Sequence, residues 1–262
     1  MARKFRYPTG VRPLLIEETA RRRRIEARFV DVLERAGFAE IVLPIIDYAE
    51  PYAPLQARDS AKQSYRFIDR EGELVSVRSD FTPMVARALA PSITAAGLPL
   101  RVYYRGDVIR CDASRLGANR EMFQIGAEIV GDPSNDADLA VMRLAADLVR
   151  EFGMTPKVVY SDVAPAFSEF EYVDDDDDAG YYTGIRFHVY DSASRRKFAQ
   201  GGRYDRLYEA FGTPAAAVGF TFTIDELTSE RRQLAGRNAG TLPAGLEPAD
   251  LPAGSRRSGD FE

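Results

Sequence analysis

The segment RCDASRLGANREMFQIGAEIVG, residues 110–131, carries Arg110, Arg120, Gln124 and Glu128, where a structural hairpin would need only alternation and a turn. Gln124 and Glu128 are four apart, so on a strand both project from one face. Ile125, Ala127, Ile129 and Val130 surround Glu128 in the sequence. A carboxylate there is costly unless it is paired or meets a ligand. Asp80 and Thr82 fall between an apolar run and a helical one, a rim position from which both can accept hydrogen bonds from an ammonium group. Arg110 offers a two-pronged contact to a carboxylate. A second segment, GGRYDRLYEAFG at residues 201–212, puts Gly201 and Gly202 before an Arg-Tyr-Asp triplet. Together these residues point to a pocket for a small zwitterion. The structural alternative is that Glu128 pairs with Arg110 or another arginine and ties strands together.

Several elements must position these groups. Residues 17–36 read as a helix, with Ile25, Phe29, Val32 and Leu33 on one face and Gly37 as the stop. Residues 39–44, AEIVLP, read as a short strand, and residues 64–68 and 74–78 as a hairpin. Residues 82–89 read as a helix opened by Pro83. Residues 100–104 and 123–130 are predicted strands around a polar loop, followed by an amphipathic helix over 135–152. KVVYS, residues 181–190, 198–202 and 217–223 are further strand predictions, with a short helix near 225–234. Early helices with many hairpin strands predict an α+β fold, an antiparallel β-sheet flanked by helices. Residues 1–235 would form one core domain, and the Gly-, Pro- and Ala-rich tail at 236–262 would be disordered.

Composition narrows the function classes. A net charge of −5 does not favour nucleic acid as a partner. One cysteine, Cys111, excludes an internal disulfide framework and fits a reducing compartment. Neither a bilayer-length apolar run nor a signal-peptide start is present, so a cytoplasmic protein is expected.

Several separated motifs carry a resemblance. YPTGVRPLLIEE, VRSDFTPMVARA, RGDVIRCDASRLGANREMFQIGAEIVG, AGYYTGIRFHVY and GGRYDRLYEAFGTPAAAVGF follow in the order found in the catalytic core of histidyl-tRNA synthetases. The chain resembles more closely their paralogues, the regulatory subunits of ATP phosphoribosyltransferase. The resemblance runs from about Tyr7 to Leu227. It implies the class II synthetase fold and a homodimer, with the segment at 39–48 near the interface. It also implies a histidine pocket. Asp80, Thr82 and Gln124 match positions around the α-amino group, and Arg110 the position near the carboxylate. Glu128 and the pair Tyr181 and Tyr182 match positions around the imidazole, and Gly201 and Gly202 match glycines that let backbone approach. The bland reading of the tyrosines is core packing.

The departures concern phosphate chemistry. Asp177 and Glu226 stand about where the synthetases carry phosphate-handling arginines, and Asp112 stands for a glutamate. An acidic side chain repels the phosphate that those arginines hold. Arg110 and Arg120 remain, so a residual anion contact stays open. The acidic run at 174–178 is read as a solvated loop, since a metal cage needs converging oxygens. The composition after residue 227 leads to no expectation of an anticodon-binding domain, and residues 132–180 leave little of the family's helical insertion. The resemblance therefore implies a non-catalytic, histidine-binding subunit that acts on a separate short-form catalytic ATP phosphoribosyltransferase chain. No cofactor, metal, tRNA or membrane is expected as a partner. An active adenylating enzyme or ligase of the same fold is the alternative, and an interaction protein with a vestigial pocket is another.

Overall fold

The computed structural model of the chain describes residues 6–55, 64–94, 97–111, 119–161, 167–173, 181–225 and 227. Asp112, the acidic run at 174–178 that includes Asp177, Glu226 and the tail at 236–262 lie outside the described residues. In chain order the elements are α1 (Ile16–Arg35), β1 (Ala39–Glu40), β2 (Ile46–Tyr48), β3 (Arg66–Ile68), β4 (Leu74–Val77) and α2 (Thr82–Leu89). Then come β5 (Leu100–Ile109), β6 (Glu121–Val130), α3 (Asn135–Arg150), β7 (Pro156–Ser161) and β8 (Glu171–Tyr172). The last are β9 (Arg186–Asp191), β10 (Lys197–Arg203) and β11 (Ala217–Thr223).

The main sheet has the order β1-β5-β6-β11-β10-β9-β7-β8, and β2-β4-β3 form a small second sheet. From β5 to β7 every pairing of the main sheet is antiparallel, as predicted, while the short edge strands β1 and β8 pair parallel. One face of β6 presents Phe123, Ile125, Ala127 and Ile129 to Phe29 and Leu33 of α1 and to Val141 and Leu148 of α3. These contacts follow from helical spacing in α1 and α3 and strict alternation in β6. Ser134 caps α3, its hydroxyl accepting from the Ala137 amide, with Asp136 and Asp138 in the first turn.

The opposite face is the one that matters for chemistry. There α2 lays Met84 and Val85, with Phe81 just before it, against Val102, Tyr104 and Val108 of β5. Pro83 opens α2, as the sequence predicts.

Three elements differ from their predicted bounds by more than two residues. The strand expected at 39–44 ends at Glu40. Beyond it the carbonyls of Leu43 and Pro44 leave the sheet and accept from the Arg78 guanidinium at 3.0 and 3.2 Å. β5 continues past residue 104 through Arg105, whose charge is met by Glu26 at 2.6 Å and Glu40 at 2.7 Å. β9 starts at Arg186 rather than at residue 181, which leaves Tyr181 and Tyr182 outside the strand and free to turn over the sheet. No helix of the described residues is long and apolar enough to cross a membrane.

Candidate functional site

Register sets the site. On the α2 side of the sheet Glu128 lies beside Gly219, and Gly219 beside Gly202. The next row holds Tyr104, Gly126, Thr221 and Gln200. The row after that brings in Gln124 beside Thr223. The four-residue spacing thus does what alternation requires: Gln124 and Glu128 share the face away from α1 and α3. Asp80 and Thr82 arrive from above at the start of α2, and Tyr181 and Tyr182 close the far side.

A cleft of about 350 Å3 results, lined by Asp80, Thr82, Arg110, Gln124, Tyr181 and Tyr182 together with the backbone of Gly201 and Gly219. It continues past Arg110 and Gln124 into a second cleft of about 680 Å3 that reaches Lys197. Among the sequence-predicted residues, Glu128 and Gly202 do not line the cleft, the Glu128 carboxyl being packed over Gly219, and Arg120 is not brought to the cleft either. The Arg120 guanidinium donates instead to the Tyr65 hydroxyl at 2.9 Å.

Glu128 is fully buried, 0 % exposed. Its Oε1 accepts from the Thr82 hydroxyl at 3.1 Å, and its Oε2 has no hydrogen-bond partner. Among the described residues it makes no ion pair, so it does not tie strands together through an arginine. Burial pushes its carboxyl up to about 8. The hydroxyls of Thr82 and Tyr104 offset only part of this, and the nearby Asp80 charge adds to it. Gly219 is glycine for this reason: a Cβ there would lie 2.0 Å from Oε2. Gln124 is also buried, and its Oε1 has no partner. Two acceptors thus stand unmatched within a few residues, which a protein interior tolerates where a ligand or solvent donates.

Asp80 accepts from the Thr82 amide at 3.3 Å and from the Tyr181 hydroxyl at 3.4 Å. The Tyr181 and Tyr182 rings lie 5.0 Å apart, and Tyr181 meets Tyr204 edge-on at 5.8 Å. Burial, with the Asp80 charge beside it, raises both phenols above their ordinary value, so both remain donors at neutral pH. Arg110 is anchored by a 3.1 Å bond from its Nε to the Ser79 carbonyl, which leaves the rest of its guanidinium at the cleft.

The paired glycines differ from each other. A Cβ on Gly202 would strike the Tyr182 ring at 2.8 Å, so Gly202 is what lets that ring lie on the sheet. A Cβ on Gly201 would strike the Gly219 carbonyl at 2.2 Å and Phe187 on the α3 side at 2.6 Å. The Arg-Tyr-Asp triplet also divides. Arg203 is buried and bonds Asp138 at 2.7 Å and the carbonyls of Asp132 and Ser134, pinning β10 to the start of α3. Asp205 accepts from the Ala217 amide at 3.0 Å. Of the triplet only Tyr204 reaches the cleft, where its buried hydroxyl has no partner. Sequence reading gave Tyr204 no role of its own; an aromatic at core spacing carries no mark that distinguishes it from packing.

A family model described as histidyl-tRNA synthetase matches residues 10–164 and 174–227. The chain belongs to the histidyl-tRNA synthetase family. Among curated relatives, the ATP phosphoribosyltransferase regulatory subunit of Symbiobacterium thermophilum is 37% identical over 153 residues, 58% of this chain and 38% of the relative. That of Halothermothrix orenii is 33% identical over 148 residues, 56% of this chain and 35% of the relative. The matched segment thus covers little more than a third of the relatives' length. A Bacillus halodurans protein described as ATP phosphoribosyltransferase regulatory subunit/histidyl-tRNA synthetase superposes with a TM-score of 0.77 at 20% identity, covering 91% of each chain. Apo S. aureus histidyl-tRNA synthetase gives 0.71 at 22%, covering 91% of this chain and 72% of that one. At these identities the superpositions bear on fold alone, and they agree on a class II core.

Proposed function

We propose that this chain is a non-catalytic, histidine-binding regulatory subunit of ATP phosphoribosyltransferase, acting on a separate catalytic chain at the first step of histidine biosynthesis. The relatives' names support the regulatory role. The observation that carries the ligand is the buried Glu128, with one oxygen held by Thr82 and the other unpartnered over Gly219. An imidazole can both donate a ring N–H to such a carboxyl and, unlike an indole, take its proton near neutral pH. The zwitterion's ammonium would lie at Asp80 and Thr82 with Gln124, and its carboxylate at Arg110. Tyr181 and Tyr182 would flank the ring, with Gly201 and Gly202 beneath.

Phosphate chemistry has less support. Asp177 and Glu226 occupy family positions at which a cation would serve a nucleotide, and Arg120 is engaged with Tyr65. The adjoining cleft with Arg110 and Lys197 is the one feature that favours the adenylating alternative.

Regulation requires histidine to favour one state of the complex over another. A second copy of this chain is the proposed occupant of an exposed apolar face. Val42 is 90% exposed, and Ile46, Tyr48 and Phe67, the last three sharing one face of the small sheet, are 50%, 45% and 43% exposed. Titration calorimetry tests the ligand. L-histidine should give saturable heat, and no heat with histidine beside strong heat with another amino acid would overturn the assignment.

A further inference from the structure

Tyr104 is fully buried, and its ring stacks on Phe81 with centroids 4.4 Å apart. Tyr104, Gly126 and Thr221 stand side by side across β5, β6 and β11. The phenol crosses over Gly126, where a Cβ would lie 2.3 Å from its oxygen, and ends 2.7 Å from the Thr221 hydroxyl. Glu128 stands in the next row of the same face, two residues along β6. Its Oε1 accepts from the Thr82 hydroxyl at 3.1 Å. The Tyr104 hydroxyl acts on the same carboxyl, as a hydrogen bond that favours the carboxylate. Thr82 and Tyr104 therefore hold one buried carboxyl from α2 and β5, Thr221 stands behind Tyr104 on β11, and Oε2 stays open over Gly219. Thr221 itself lines both clefts, so this run of hydroxyls ends at the site.

A phenol hydroxyl carries one proton and also accepts through its oxygen. If Tyr104 spends that proton on Thr221, none is left for Glu128. If Thr221 donates instead, the phenol keeps its proton for the carboxylate. Phenylalanine would stack on Phe81 equally well, so packing does not account for the hydroxyl. We propose that Tyr104 and Thr221 are positioning residues for Glu128: Thr221 donates to the phenol, the phenol donates to the carboxylate, and Oε2 is thereby held toward the ring nitrogen of the ligand. This rests on the histidine reading of the site. No covalent bond is made or broken, and the arrangement only orders protons that the hydroxyls already carry.

The other charged and titratable groups facing Glu128 do not depend on Thr221. Asp80, just before α2, opposes the carboxylate charge. The phenols of Tyr181, Tyr182 and Tyr208 feel that charge too, and burial raises all three, so they keep their protons at neutral and mildly alkaline pH. Tyr181 donates to Asp80 at 3.4 Å.

The test has two readouts on the full chain. The first is the Glu128 carboxyl resonance of the ligand-free protein, labelled with 13C at glutamate Cδ and identified as the signal missing from Glu128→Gln. It is followed from about pH 5 to about pH 9.5. Removing a donor to a carboxylate favours its protonated form. The midpoint should rise by about one pH unit in Tyr104→Phe and by about half a unit in Thr221→Val. Thr221→Ser keeps the hydroxyl and should match the wild type. One midpoint shared by all four chains would mean that the hydroxyls only pack, and would overturn the inference. The second readout is L-histidine affinity by calorimetry. It should fall about tenfold in Tyr104→Phe and about threefold in Thr221→Val, and stay within about twofold of the wild type in Thr221→Ser. Equal losses in Thr221→Val and Thr221→Ser would make Thr221 a plain wall of the cleft, and no loss in Thr221→Val would remove it from the chain of donors; either result overturns the inference. Shifted midpoints with no histidine binding by the wild type would support the hydroxyl chain and sink the histidine reading alone.

Discussion

A carboxyl group sealed from solvent, with Thr82 on one oxygen and nothing on the other, holds its proton more firmly folded than unfolded. For Glu128 the ordinary value of 4.5 rises to about 8. The sign follows directly. The folded state binds more protons than the unfolded state between these two values. The contribution of Glu128 to stability is therefore fully present below about 4.5 and is lost as pH climbs toward about 8. The slope from this group is at most about 1.4 kcal/mol per pH unit. Glu128→Gln keeps the acceptor for Thr82 and removes the titration. Urea unfolding of the ligand-free chain at pH 5, 6.5 and 8 should show the slope in the wild type and a shallower one in the variant. Identical slopes would contradict the burial argument. The same variant should bind histidine at least tenfold more weakly, because a bond to a charged partner is worth about 1.5–3 kcal/mol. The grouping of Asp80, Thr82, Gln124 and Glu128 in space was legible in the sequence, since alternation alone puts Gln124 and Glu128 on one face. The packing of Gly219 against Glu128 was not, because it depends on the register of β6 against β11, and residue types do not announce a register.

At the scale of elements, β10 and α3 are coupled through Arg203. Its guanidinium and Asp138 are both almost fully buried, and the same group reaches the carbonyls that precede α3. Removing one partner leaves a buried charge unmatched, which costs more than the pair contributes. Arg203→Met should lower unfolding stability by about 3 kcal/mol or more, read from the denaturant midpoint. A loss below about 1 kcal/mol would mean that Asp138 finds water or another cation. The sequence placed both elements correctly but gave Arg203 no role beyond its place beside the paired glycines. The partner is 65 residues away, and a triplet beside two glycines looks the same whether it binds a ligand or a helix start. The bounds of β5 were missed for a similar reason. Arg105, Gly106 and Asp107 look like loop chemistry until Glu26 and Glu40 are brought to Arg105. Gly106 is required there because a Cβ would meet the Arg78 guanidinium at 2.7 Å.

At the scale of the molecule, the main sheet holds α1 and α3 on one face, and α2 with the candidate pocket on the other. The small sheet, whose β2 no sequence signal predicted, exposes Ile46, Tyr48 and Phe67. If a second copy covers that face, Ile46→Glu combined with Phe67→Glu should convert a dimer to a monomer in analytical ultracentrifugation while histidine binding persists. A wild-type monomer would contradict this placement. The central claim is that the chain regulates rather than catalyses. It is tested most directly by the steady-state rate of the cognate catalytic ATP phosphoribosyltransferase chain, with and without this chain, across a histidine titration. The account predicts that adding this chain raises the rate or confers histidine sensitivity, and that Glu128→Gln shifts the histidine response to higher concentration. A rate and a histidine response that are unchanged by this chain would contradict it.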